Sequence, residues 1–161
     1  SGTNPTALID APALSQVLVI GSGVNFGGGG NGADDGSLTI LDRDTLSLQR
    51  RIEVGDSPGS AILLAEGSGH RLYMAGPTGI KSIHHDGADW ADSARWEYDA
   101  TGVGGTLPFI AHIARWGSTL YAADFANSRL LAFAIGTGGA LSLRGEVALS
   151  QGPIALLVDI E

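Results

Sequence analysis

The chain has 161 residues, a hydrophobic fraction of 43%, 25 glycines and a formal net charge of −8. These values fit a folded, turn-rich domain and exclude a nucleic-acid-binding surface, which needs clustered Lys and Arg, whereas the only adjacent pair here is Arg50-Arg51. The absence of cysteine excludes disulfides, Cys-ligated zinc and thiol catalysis, and no apolar run is long enough for a membrane-spanning helix.

In chain order, the first element is an apolar run after a proline, Pro5-Thr6-Ala7-Leu8-Ile9. A second run, Gln16-Val17-Leu18-Val19-Ile20, leads into a Gly-rich loop over residues 21–36. A third, Ser37-Leu38-Thr39-Ile40-Leu41, alternates apolar and polar side chains, and a fourth, from Ser47 to Val54, is polar. The series then restarts at Pro58 with Ala61-Ile62-Leu63, Arg71-Leu72-Tyr73-Met74-Ala75, Gly79-Ile80-Lys81-Ser82-Ile83 and Ala94-Arg95-Trp96-Glu97-Tyr98. It restarts again at Pro108 with Phe109-Ile110-Ala111, Thr119-Leu120-Tyr121-Ala122-Ala123, Arg129-Leu130-Leu131-Ala132-Phe133 and the polar run from Leu143 to Leu149. Pro153-Ile154-Ala155-Leu156-Leu157 begins a further round. Period-two alternation and Gly-containing turns predict strands throughout. Residues 87–95 are expected to be an irregular outer segment rather than a helix.

The prolines recur at spacings of 53, 50 and 45 residues, close to the roughly 40–50 residues of a propeller blade repeat. Four strands that grade from buried and apolar to polar and solvent-facing give the layout of such a blade. The small side chains of Ala7, Ala61, Ala111 and Ala155 suit a crowded central axis. The expected fold is therefore all-β. It has about three four-stranded antiparallel β-propeller blades over residues 5–57, 58–107 and 108–152, with 153–161 starting a fourth, as part of a larger propeller. A β-sandwich with coincidental proline spacing is the alternative. Three blades do not close a ring, so missing sequence, a second polypeptide or another copy is expected to complete it.

Three segments carry a family resemblance. Gly36-Ser37-Leu38-Thr39-Ile40-Leu41-Asp42-Arg43-Asp44-Thr45 resembles a G-x-hydrophobic-x-hydrophobic-hydrophobic-D-x-x-T element, and Ile52-Glu53-Val54-Gly55-Asp56-Ser57-Pro58 resembles an I-x-V-G-x-x-P blade junction. The run from Leu120 to Leu130 is similar to YVADxxNxR. These elements resemble the YVTN and NHL families of bacterial β-propellers, including YncE-like and surface-layer-like proteins. The motifs mark a fold that hosts many activities. Asp124, Asn127 and Arg129 are expected to brace the turn between second and third strands. In the middle unit Gly76-Pro77-Thr78-Gly79 replaces that element. The resemblance also implies ligands at the axis, on the face that carries the loops before first strands and between second and third strands. On this chain that selects Asn25, Phe26, Asp56, Thr78 and Gln151.

Among single residues, His112 in an expected axial strand is either a ligand contact or a hydrogen-bonded core histidine. Asp34 and Asp35, with Asn31, are weak candidates for calcium through oxygen ligands, against the plainer reading of a solvated insertion. The loop at 21–36 precedes a strand rather than a helix, which excludes a phosphate loop. His84-His85-Asp86 is the one tight cluster of transition-metal ligand types, but neighbouring strand residues point to opposite faces. No Gly-x-Ser-x-Gly elbow of the strand-to-helix kind is present. Trp90, Trp96 and Trp116 are expected between blades or on outer strands.

The expected function is a non-enzymatic binding or scaffold module, without a cofactor, that presents loops to a protein or small ligand. The alternative is part of a propeller hydrolase or lactonase with an axial calcium ion. The expected setting is periplasmic or extracellular, with lipid anchoring through an upstream leader.

Overall fold

The computed structural model describes residues 4–23, 36–100 and 109–158. The described residues form three four-stranded sheets. The first holds β1 (Pro5–Ala11), β2 (Gln16–Gly21), β3 (Ser37–Asp42) and β4 (Leu48–Glu53). The second holds β5 (Ser60–Glu66), β6 (Gly69–Gly76), β7 (Gly79–His85) and β8 (Arg95–Asp99). The third holds β9 (Ile110–Trp116), β10 (Thr119–Asp124), β11 (Arg129–Ile135) and β12 (Leu141–Ala148). Strand order within each sheet follows the chain, and each neighbouring pair is antiparallel. The first strands neighbour one another, β1 beside β5 and β5 beside β9. Sheets that meander outward from adjacent inner strands are β-propeller blades, three in succession.

Local chemistry sets the turns. Gly67 and Gly117 take φ values of 59° and 57° in the tight turns after β5 and β9, where a side chain would be strained. After β3 the Asp42 carboxylate accepts hydrogen bonds from the Thr45 amide at 2.9 Å and its hydroxyl at 2.8 Å. The Asp-x-x-Thr element is thus an Asx turn that fixes the step into β4. The Thr45 amide bond, foremost, holds the Asp42 carboxyl below its usual range.

Two apolar cores lie between blades. Leu18, Ile20, Leu38, Ile40 and Ile52 of the first blade pack on Leu72, Met74, Ile83 and Trp90 of the second. Tyr73, Ala75 and Ile80 of the second pack with Ile110, Leu120, Ala122, Leu131 and Phe133 of the third. In β6 the two sets alternate along one strand, so the middle blade is buried on both faces and reads as a continuous apolar run. At about 25 cal/mol per Å² of apolar area removed from water, each buried Leu, Ile, Met or Phe side chain here contributes roughly 1.5–3 kcal/mol. The outer strand β12 is exposed from Ser142 to Ala148, as the polarity gradient predicts.

Polar bonds fasten each seam. Across the first, Arg50 donates to Asp89 at 3.0 Å, to the Trp90 carbonyl at 2.8 Å and to Asp92. Trp90 donates through Nε1 to Gln16 at 2.9 Å. Across the second, the Tyr73 hydroxyl donates to the Gly139 carbonyl at 2.6 Å, and Arg95 donates to the Gly138 carbonyl. Residues 86–94 are irregular apart from a bridge between His85 and Trp90.

Two expectations about side chains need correction. Among the described residues Trp116 lies neither between two blades nor on an outer strand. It ends the inner strand β9 and is 64% exposed. Ala7, Ala61 and Ala111 are half-buried, but Ala155 is exposed, because no blade flanks it among the described residues. Residues 152–158 form no ladder, since no strand pairs with them among the described residues. They lie beside β9, where the Leu156 amide donates to His112 Nδ1 at 3.3 Å.

Candidate functional site

In the middle blade the segment before β5 and the turn between β6 and β7 come together, and two expected site residues, Asp56 and Thr78, meet there. Asp56 precedes β5 within a left-handed run, Gly55 at φ 64°, Asp56 at 59° and Ser57 at 41°. Gly and Asp tolerate this region, and Pro58 ends the run. Thr78, in the turn between β6 and β7, donates its hydroxyl to Asp56 Oδ1. The pairing needs Gly76, where a Cβ would stand 2.4 Å from the Asp56 carbonyl oxygen. Burial, foremost, pushes the Asp56 carboxyl above its usual range, against the Thr78 hydrogen bond and the charge of Lys81. Lys81 donates to the Val54 carbonyl at 2.9 Å and lies 4.4 Å over the Trp96 ring, a cation–π contact.

The third blade solves the same corner differently. Asp124 is fully buried at the end of β10. Its Oδ2 accepts from Asn127 Nδ2 and from Arg129 Nε, both at 2.8 Å, and its Oδ1 accepts from the Asn127 amide at 3.3 Å. Arg129 then reaches Glu146 on β12 at 2.7 Å. Burial alone would lower the Arg129 pKa, but the bond and charge of Asp124 outweigh it and raise it. A carboxylate that joins a turn amide to a guanidinium holds β10, β11 and β12 at fixed spacing.

The remaining candidate residues lie apart from these clusters. His112 is half-buried on β9 and accepts the Leu156 amide. Gln151 is exposed. Among the described residues no hydrogen bond joins His112 or Gln151 to Asp56 or Thr78. Asn25, Phe26, Asp34 and Asp35 lie outside the described residues. His84 and His85 diverge: His84 Nε2 lies 3.8 Å from Glu66, while His85 is buried, with Nδ1 accepting the Gly87 amide at 3.1 Å. Burial, foremost, lowers the His85 pKa. Among the described residues no group of three or more His, Cys, Asp or Glu is placed to hold a metal ion, and no helix is long and apolar enough to cross a membrane.

Sequence reasoning missed a buried polar network in the middle blade. Arg71 is 5% exposed. Its Nε donates to Glu66 at 2.7 Å and its Nη1 to Ser82 at 3.1 Å. Ser82 and Arg95 both donate to Glu97, whose side chain is 4% exposed. The one available signal was an arginine inside an apolar strand run.

The two blade faces that no other blade covers among the described residues are apolar at several points. On the first blade Leu8 is 68% exposed, with Val17, Val19 and Leu41 half-buried. On the third, Trp116, Tyr121 and Leu130 line a groove of about 330 Å³ together with Leu156, Leu157 and Val158. Leu157 is 95% exposed.

Stacked four-stranded meanders with adjacent inner strands define a β-propeller segment. The fold is similar to that in a crystal structure of BBS1N in complex with ARL6DN, soaked with mercury, with a TM-score of 0.56 at 15% identity. That match covers 91% of this chain and 40% of the other, so the chain spans less than half the length of the structure it resembles. No family model matches the chain, and no curated protein matches it.

Proposed function

We propose that the chain is a binding or scaffold segment of a β-propeller, whose two open blade faces are completed by further blades. Additional sequence, a second polypeptide or another copy would supply them. The observation that carries this is the pair of apolar blade faces, with Leu8 on one side and Trp116, Tyr121 and Leu130 on the other. The interior seams have the same construction and are filled by neighbouring blades. An uncovered face of that kind favours association. The corner clusters at Asp56–Thr78 and Asp124–Arg129 consume their own polar groups in bracing turns, which suits a rigid platform whose loops do the binding. BBS1N in the matched structure is held in complex with ARL6DN, and a protein ligand at the loop ends is the reading we favour here. The blade-junction and Asn-x-Arg motifs support a YVTN/NHL-type origin.

Trp116 provides the test. Acrylamide quenching of its fluorescence, assigned with Trp116→Phe, should be strong in dilute protein and fall as concentration rises or as a completing partner is added. Quenching that stays constant over the concentration range and in extracts of the source cell would sink the proposal.

A further inference from the structure

The two seams differ at one equivalent place. In the first, the loop between β7 and β8 sends the Trp90 indole between the blades. There it is 4% exposed and donates to Gln16. In the second, the corresponding loop between β11 and β12 contains Gly136-Thr137-Gly138-Gly139 and sends no comparable side chain inward. A cavity of about 230 Å³ remains, lined by Leu64, Glu66, Arg71, Tyr73, Arg115 and Ile135 among others. That is the room of about eight waters at ~30 Å³ each, and below the ~300 Å³ at which drug-sized pockets begin. It suits a ligand the size of a single substituted ring.

The polar lining selects the charge. Where Trp90 meets an acceptor, Gln16 Oε1, the second seam presents donors. Arg71 is nine-tenths buried and already paired with Glu66. Glu97 is taken by Arg95 and Ser82. Arg115 donates through Nε to the Gly117 carbonyl at 2.6 Å, and no carboxylate pairs with it among the described residues. Of the charged groups that line the cavity, Arg71 and Arg115 stand against one carboxylate, Glu66, which leaves one positive charge. Leu64, Ile135 and the Tyr73 ring supply apolar walls. A guanidinium fork matches a carboxylate in two parallel bonds.

We propose that the seam between the second and third blades binds a small aromatic carboxylate, its ring where the first seam holds an indole and its carboxylate on Arg115. The site lies wholly between two blades of this chain and does not depend on how the ring is completed.

Calorimetric titration with benzoate tests it, with benzyl alcohol and benzylamine as neutral and cationic counterparts of similar size. Saturable benzoate binding is expected, with benzyl alcohol weaker and benzylamine weakest. Arg115→Gln should weaken benzoate ~10-fold or more, the loss expected for a charge-assisted contact. Arg115 is surface-exposed, so this variant keeps the fold, and Arg144→Gln on β12 controls for loss of a distant charge. The proposal is overturned if benzoate shows no saturation into the tens of millimolar (~50 mM, far weaker than the affinity range tabulated for recognition). It is equally overturned if the three probes bind alike, or if Arg115→Gln binds benzoate as the parent does.

Discussion

Tyr73→Phe isolates a single bond across the second seam. Tyr73 is 1% exposed, and its hydroxyl donates to the Gly139 carbonyl at 2.6 Å. Gly139 is itself buried at the edge of the seam cavity, so removing the hydroxyl leaves its carbonyl either unpaired or bonded only to water in that cavity. A satisfied neutral hydrogen bond is worth about 1 kcal/mol net, and an unpaired buried acceptor costs about 1–3 kcal/mol. The variant should therefore lose about 1–3 kcal/mol in urea denaturation. At about 2–4 °C per kcal/mol for a chain of this size, Tm should fall by roughly 2–12 °C. The hydroxyl has a second signature. Burial, and then the charge of Glu97, push the Tyr73 pKa from 10.0 to about 12. The folded state holds this proton more tightly than the unfolded state does. The contribution is thus whole below pH 10 and is lost as pH rises from about 10 through about 12. The parent protein should lose that part of its stability over this window, and Tyr73→Phe should not. Tyrosinate absorbance should show the latest step absent from the variant. An unchanged urea midpoint together with an unchanged alkaline limb would refute the seam bond.

Other perturbations follow from the same geometry. Gly139→Ala would place a Cβ 2.0 Å from Arg71 Nε at a φ of 72°; a loss of about 2 kcal/mol or more is expected in thermal unfolding, and a neutral result would contradict the close approach. Asp124→Ala removes the acceptor shared by Asn127 and Arg129 and should cost about 3 kcal/mol, whereas a cost below about 0.5 kcal/mol, the scatter of ordinary surface changes, would show the cluster to be decorative. For Asp56 the folded pKa is raised above 3.8, so its stabilising share is present below the unfolded value and is lost as pH rises through the folded one. Asp56→Asn should thus flatten the acid side of the stability–pH curve and leave stability at neutral pH unchanged or higher. Marked destabilisation at neutral pH would mean that the charge is needed.

The blade pattern was legible because its cause is local. Period-two alternation in Leu38/Ile40 and Leu131/Phe133, with a proline opening each unit, follows from strands with one face on a neighbouring blade. The Asp124–Arg129 corner was visible for the same reason, since its partners lie within five residues. The polar network around Arg71 was not visible. Glu66, Ser82 and Glu97 reach it only through the sheet registers that set Leu64 opposite Arg71 and Ser82 opposite Arg95. Trp90 fills a seam by way of an irregular segment with no periodicity to read. The contrast with the glycine loop at 136–139 emerges only when the two seams are compared.

The most direct test of the account is the solution mass of the folded protein by light scattering, with cooperative unfolding checked on the same sample. The open apolar faces predict a mass above the 16.4 kDa of one chain, through self-association or a retained second polypeptide. A cooperatively folded monomer of 16.4 kDa, stable at high concentration with both faces in water, would contradict it.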